Sequence, residues 1–259
     1  MTRRRLVTAA ILFSLTATAA PGRSADKPTR HSFDSNGVKI AYSSQGAGEC
    51  VVLIHGWLGN SLLNWEPPGI SAALAKDHRV IAMDVRGHGE SDKPLKDEDY
   101  GPQLVEDVAR LLDHLKLEKA HIVGYSMGGV ITANFLVKHP ERVLSGTLGG
   151  MGWLKKGGLG ELGFAQIGKK DAAPNAQAVC GRSLAKLSLT EAEIKSITAP
   201  VKVLVGDKDD LIQKLYVEPL KTVRKDWSIA EIPYANHITC IVKPQFQDEL
   251  VSWIKKNSE

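Results

Sequence analysis

From residue 31 onward the chain alternates between short, mostly apolar runs and longer stretches whose apolar residues recur at helical spacing. The runs at 51–54, 80–83, 120–123, 143–148 and 201–205 have the length and composition of strands buried on both faces. Between them, Leu104, Val105, Val108, Leu111, Leu112 and Leu115 lay an apolar stripe along one side of a predicted helix over 104–115. Two more helices are predicted over 130–138, with Ile131, Phe135 and Leu136 turned inward, and over 246–254, with Leu250, Val251 and Ile254 inward. Thr190 and Glu193 form a capping box that starts a short helix toward Ile197. Near the beginning, 31–34 and 38–43 flank Ser35-Asn36-Gly37, whose Asn-Gly pair predicts a tight antiparallel hairpin. Leu62, Leu63, Trp65 and residues 70–74 read as loop packing and a helix, and a last strand is expected over 228–232.

Strands separated by helices in this order predict an α/β fold, a mostly parallel sheet covered on both faces with its ligand site at the strands' carboxyl ends. Residues 149–189 interrupt the pattern. There Gly157, Gly158, Gly160, Gly163 and Gly168 are interspersed with Trp153, Leu154, Leu159, Leu162 and Phe164, which predicts neither sheet nor a long helix. The apolar content favours a packed cap over a bare loop.

Candidate chemistry centres on Gly124-Tyr125-Ser126-Met127-Gly128, between a predicted strand and a predicted helix. A G-x-S-x-G turn exposes its serine, because glycine stands where a Cβ would clash, and the following helix offers its first N–H groups to an oxyanion forming alongside. Such a turn alone is common, so its partners decide. His55-Gly56-Trp57 follows the run at 51–54, and Asp84-Val85-Arg86-Gly87-His88-Gly89-Glu90-Ser91 follows that at 80–83. Gly206-Asp207-Lys208-Asp209 follows 201–205, and Asn236-His237 comes after the last strand. With these motifs in this order, the chain resembles the α/β-hydrolase family.

The resemblance implies a mostly parallel eight-stranded sheet flanked by helices, with a core formed by 26–148 and 190–259. It implies a small cap inserted at 149–189, about forty residues, and hence a fairly open or shallow pocket. It assigns Ser126 as nucleophile, His237 as base and Asp209 as acid, the last by a G-x-x-D match that Asp207 and Asp210 compete with. The backbone N–H groups of Trp57 and Met127 are the implied oxyanion hole. His78, His114, His121 and His139 fall in predicted helices or at strand starts, where the geometry is wrong for a base. His55 is read as a brace for its loop. Asp84 and His88 are read as structural, the alternative being a two-ligand metal site without further partners. Asn236 stands where the family commonly has glycine before the histidine, and Ile212 where proline often follows the acid.

The expected function is a serine hydrolase that cleaves small to medium carboxylic esters through an acyl-enzyme, with no cofactor and no metal. Leu58, Trp153, Leu154 and Ile212, with Trp57 and Met127, are expected to form an apolar substrate pocket. A serine at the turn disfavours the aspartate-nucleophile epoxide hydrolases and haloalkane dehalogenases. The alternatives are a lactonase, a perhydrolase, a carbon–carbon bond hydrolase using Lys155, Lys156 or Arg182 to hold an acidic substrate, or a slow-turnover receptor for an acyl ligand.

Charge and cysteine usage narrow the partners. The formal net charge of +4 comes from Arg3, Arg4, Arg5 and Arg23, which precede the first acidic residue, Asp26; the remainder balances to zero. No basic stripe is left to argue for nucleic acid or an anionic membrane. The arginine cluster, the apolar stretch at 6–20 and Ala17-Thr18-Ala19 read as an export signal over 1–25, too short for a membrane span, with Ser24-Ala25 as a later cleavage site. The expectation is an exported protein, periplasmic or extracellular, with a twin-arginine pattern in Arg3-Arg4. Cys50, Cys180 and Cys240 are far apart and odd in number, so at most one disulfide can close within the chain, and no Cys/His spacing suggests zinc.

Overall fold

The computed structural model describes residues 27–167 and 175–258. The expected export signal at 1–25 and Gly168 lie outside the described residues. The strands are β1 (Thr29–Asp34), β2 (Lys39–Gln45), β3 (Cys50–Ile54), β4 (Arg79–Met83), β5 (Ala120–Tyr125), β6 (Val143–Gly149), β7 (Val201–Gly206) and β8 (Ser228–Ile232). They form one sheet in the order β1-β2-β4-β3-β5-β6-β7-β8. Only β1 with β2 and β2 with β4 pair antiparallel; all other neighbours are parallel. The Asn-Gly hairpin is present, with Asn36 at φ 57° and Gly37 at φ 83°, the doubly left-handed turn that suits twisted strands.

The helices are α1 (Ser61–Trp65), α2 (Ile70–Leu74), α3 (Pro102–His114), α4 (Met127–Lys138), α5 (Leu159–Ala165), α6 (Ala176–Ser183), α7 (Glu191–Ser196), α8 (Asp210–Ile212), α9 (Glu218–Val223) and α10 (Pro244–Lys256). Because side chains alternate along a strand, each central strand feeds two cores. Val52 and Ile54 of β3 pack with α3 and α4, whereas Val51 and Leu53 pack with α1, α2 and α10. Helix α4 is buried nearly all round, from Met127 to Leu136. The capping box at Thr190 and Glu193 starts α7 as expected.

One expectation changes. Leu62 and Leu63 are 60% and 64% exposed rather than packed, because α1 turns Ser61 and Trp65, four residues apart, toward the sheet. Among the described residues between β6 and β7 stand the short helices α5 and α6 and a 3-10 turn over Leu184–Leu187, and a bridge pairs Lys155 with Leu189.

Beneath the loops a buried ion pair ties the motif after β4 to α3. Arg86 Nε and Nη2 each donate at 2.6 Å to the Asp107 carboxylate, and Arg86 Nη1 donates to the Asp99 carbonyl at 2.6 Å. Ser35 Oγ, at the hairpin, donates to Asp107 at 2.5 Å. Arg86 and Asp107 are 2% and 0% exposed, so either charge left alone would be costly. Asp107→Ala should therefore lower stability by about 3–5 kcal/mol. Ser35→Ala, which removes one donor, should lower it by only about 1 kcal/mol. Urea unfolding midpoints of the two variants check the order.

Candidate active site

The serine turn is made by backbone contact. A Cβ on Gly124 would stand 2.0 Å from the Gly128 carbonyl oxygen, and one on Gly128 would stand 2.0 Å from the Ile54 carbonyl oxygen. β5, the first turn of α4 and the end of β3 therefore approach as only glycine permits. Ser126 is left at φ 52°, ψ −111°, a costly conformation for a residue with a Cβ. Its N–H donates to the Gly149 carbonyl at 2.7 Å, and its own carbonyl accepts from Gly129 at 2.9 Å and Val130 at 3.2 Å. The hydroxyl is turned out of the sheet edge.

His237 meets that hydroxyl from the loop after β8. Its Nε2 lies 2.9 Å from Ser126 Oγ and its Nδ1 lies 2.7 Å from Asp209 Oδ2. Asp209 is 5% exposed and immediately precedes α8. The other two aspartates of that loop are elsewhere: Asp207 accepts the Ala235 N–H at 3.0 Å, and Asp210 is the first residue of α8. Tyr125 Oη donates to the His237 carbonyl at 2.6 Å, and burial pushes its phenol well above the ordinary range. Asn236, where the family commonly has glycine, accepts from the N–H groups of Ile238 and Thr239, both at 3.0 Å. It locks the turn that carries the imidazole.

The Trp57 loop lies against the serine, Gly56 Cα facing the Ser126 side chain. Its groups are spoken for one by one. Gly56 N–H donates to Asn64 Oδ1 at 3.0 Å, Leu58 N–H to His88 Nε2 at 3.3 Å and Gly59 N–H to the Gly56 carbonyl at 3.1 Å. Among the described residues the Trp57 and Met127 N–H groups donate to no protein acceptor. His55 accepts the Val85 N–H at Nε2, 3.0 Å, and its Nδ1 bonds the Gly56 carbonyl at 2.7 Å, so it braces the loop and takes no part at the serine. Asp84 is likewise engaged, by Ser61 N–H at 2.7 Å, Glu90 N–H at 3.0 Å and Arg30 at 2.7 Å. Burial acts to raise its carboxyl, but these donors together hold it below the usual range.

A cavity of about 660 Å³ opens over Ser126 and His237. Leu159, Phe164 and Ile167 wall it on the α5 side, and Leu211, Ile212 and Leu215 wall it opposite. Its rim is open at Leu211 and Ile238, and its volume is that of a small-molecule pocket. Trp57 and Ile212 line it. Leu58, Trp153 and Leu154 do not. Leu58 is 59% exposed on the outer side of its loop at φ 64°, while Trp153 and Leu154 are buried in the core below the cap. There Trp153 Nε1 donates to the Leu189 carbonyl at 2.7 Å. The Met127 side chain is also in the core, its sulfur 3.8 Å from Cys180 Sγ. Of the residues missed from the far wall, Leu211 lies shortly before and Leu215 within a π-helical turn over Gln213–Val217, which the sequence gives no reason to expect.

A family model for the alpha/beta hydrolase fold matches residues 49–197. The chain belongs to the alpha/beta hydrolase fold family. Among curated proteins it is 40% identical over 112 residues to a putative 2-succinyl-6-hydroxy-2,4-cyclohexadiene-1-carboxylate synthase of Bacillus subtilis (strain 168), covering 42% of this chain and 39% of that protein. It is 37% identical over 130 residues to a 2-hydroxy-6-oxo-6-phenylhexa-2,4-dienoate hydrolase of Comamonas testosteroni, covering 49% and 43%. The matches thus span about two fifths of the relatives' own lengths. Among solved structures, a carboxylesterase of Nitrososphaera gargenis superposes with TM-score 0.69 at 21% identity, over 88% of this chain and 98% of that one. A 2-hydroxy-6-oxo-6-phenylhexa-2,4-dienoate hydrolase of Rhodococcus sp. strain RHA1 gives 0.71 at 20%, over 89% and 99%. These superpositions show the alpha/beta hydrolase fold.

The histidines behind the site of this hydrolase set its acid limit. His88 is fully buried, and desolvation, with the neighbouring His55 charge, pushes its imidazole down from 6.5 to about 4; burial lowers His55 as well. A folded-state value below the unfolded one means that the unfolded chain binds the proton first. The stabilisation is complete above pH 6.5 and is lost as pH falls from 6.5 toward 4. The melting temperature should therefore drop between pH 7 and pH 5, and His88→Gln, which keeps an acceptor for Leu58 N–H, should drop less over the same interval. Parallel melts of the two proteins check it.

Proposed function

We propose that this alpha/beta hydrolase is a serine hydrolase acting on small to medium, uncharged carboxylic esters. The observation that carries the reading is the continuous Ser126 Oγ–His237 Nε2 and His237 Nδ1–Asp209 Oδ2 contact, at 2.9 and 2.7 Å, opening on the apolar cavity. His237 takes the Ser126 proton as Oγ attacks the acyl carbon, while Asp209 orients the imidazole and stabilises its cation. The alkoxide then points at the free N–H groups of Trp57 and Met127, which bond it more strongly than the ground-state carbonyl. His237 returns the proton to the leaving alcohol. Water, deprotonated by the same imidazole, attacks the acyl-enzyme and releases the acid.

Charge favours this over carbon–carbon bond hydrolysis of a carboxylate-bearing dienoate, the substrate named for the Comamonas relative. Among the described residues the only Lys or Arg on the cavity wall is Lys208, exposed and beside Asp207. Asp209 and Asp210 are on the same wall. The three cations weighed for an acidic substrate are elsewhere: Lys155 lies over the Trp153 ring, Arg182 pairs with Asp97, and Lys156 is not on the cavity wall.

Hydrolysis of p-nitrophenyl esters of increasing acyl length tests the reading. Ser126→Ala should lower kcat/KM roughly 10⁴-fold or more, and Asp209→Asn by a comparable order. Asp207→Asn and Asp210→Asn should stay within a few-fold of the parent, which assigns the acid. Equal turnover by the parent and Ser126→Ala would refute the mechanism, and ligand retention without product release would favour the receptor alternative.

The same proposal places the enzyme outside the cytoplasm, on the strength of Arg3-Arg4-Arg5, the apolar stretch at 6–20 and the small residues that follow. Amino-terminal sequencing of the exported protein should begin after Ala19 or Ala25. A cytoplasmic protein retaining Arg3–Arg5 would contradict it.

A further inference from the structure

At the edge of the sheet opposite the serine, three segments far apart in sequence bring one carboxylate and two imidazoles together. Glu49 immediately precedes β3, His78 immediately precedes β4 and His121 is the second residue of β5. One ligand atom from each lies within 4.8 Å of both others. His121 is 0% and His78 5% exposed, so the cluster is built into the fold and is not a chance surface grouping. Glu49 remains partly open to solvent, giving an ion a way in.

Both imidazoles aim their Nε2 atoms at a common point. Ser258 Oγ occupies it, 3.0 Å from His78 Nε2 and 3.3 Å from His121 Nε2. The third group closes the same space: Glu49 Oε2 is 2.9 Å from His121 Nε2. Among the described residues Glu49 has no Lys or Arg partner; it meets the two imidazoles and the Ser258 hydroxyl. The other nitrogen of His121 is held as a metal ligand's usually is, with Nδ1 2.8 Å from the hydroxyl of buried Ser145. That hydroxyl can donate to Nδ1 or accept from it. His121 can therefore move its single proton from Nε2 to Nδ1, which frees the Nε2 lone pair without net proton release.

The geometry points to a divalent transition-metal site, best suited to Zn²⁺, with Glu49, His78 and His121 as ligands in place of the Ser258 hydroxyl contact. Two imidazoles and one carboxylate with a further position for water or Ser258 are a donor set that Zn²⁺ accepts, its bonds to nitrogen and oxygen being about 2.0–2.2 Å. Closing the present spacing around an ion needs the Ser258 hydroxyl to leave the point between the two imidazoles. The role is structural. His121 stands five strand residues before Ser126, about 17 Å away along β5, so the ion would join the starts of β3, β4 and β5 without reaching the reacting atoms.

The test uses untagged protein stripped with EDTA and titrated calorimetrically with ZnCl₂ near neutral pH. One equivalent should bind with a Kd in the micromolar range or below. At a free Zn²⁺ concentration about a hundred times Kd, the melting temperature should rise by roughly 5 °C or more. Glu49→Gln and His78→Gln should each weaken binding at least about tenfold, and Ser258→Ala should retain it. Zn²⁺ should leave ester turnover by the parent within about twofold, so binding is read independently of the serine chemistry. No saturable binding up to about 100 μM would overturn the inference. So would binding that persists unchanged in both Glu49→Gln and His78→Gln, or a Zn²⁺ requirement for turnover.

Discussion

The site depends on a backbone contact with no room in it: the end of β5 against the first turn of α4, and that turn against the end of β3. Gly124 and Gly128 are the two positions where a side chain would collide with a carbonyl oxygen at 2.0 Å. Because those backbones touch, Ser126 is held in a positive-φ conformation that it would not adopt by itself. The strain is offset by burial of nearly the whole of α4 between the sheet and its neighbours. A rigid, fully packed helix behind the serine is what turns an exposed hydroxyl into a positioned one.

The remaining chemical groups come from loops, and each loop is fastened from below. His55, Asp84, Arg86 and His88 do not touch the serine. His88 accepts the Leu58 N–H of the loop that does, and the others tie the segments behind it, as His55 does through the Val85 N–H. This consumes the bonding capacity of the Trp57 loop while leaving the Trp57 N–H itself without a protein acceptor. A free donor in an otherwise satisfied loop is the arrangement that stabilises an oxyanion without reorganisation. Asn236 performs the same service for His237 through its turn.

Burial also sets what the other reactive groups can do. Cys50, Cys180 and Cys240 are all free and buried, and desolvation pushes each thiol up to about 12, so none is a competing nucleophile near neutral pH. The two ends of the parallel strands are thereby differentiated. One carries the serine, imidazole and carboxylate under a cap, and the other holds the cluster of buried His78 and His121 with partly exposed Glu49.

The sequence by itself determined the strands, the main helices, the Asn-Gly hairpin and the order of the loop motifs. Each of these is written in local signals: apolar runs, helical spacing, capping residues and glycine-bearing turns. Ser126, His237 and Asp209 were singled out by resemblance to the alpha/beta hydrolases, through motifs that follow strand ends, Asp209 by a G-x-x-D match with which Asp207 and Asp210 competed. Only the tertiary structure decided the pocket wall. Leu58, Trp153 and Leu154 are as apolar as Leu159, Phe164 and Leu211, so hydrophobicity cannot say which of them faces the cavity and which the core or the solvent. That depends on how α5 and the π-helical turn pack. The meeting of Glu49, His78 and His121 was equally hidden, since lateral pairing of β4, β3 and β5 is a long-range property with no trace in local spacing.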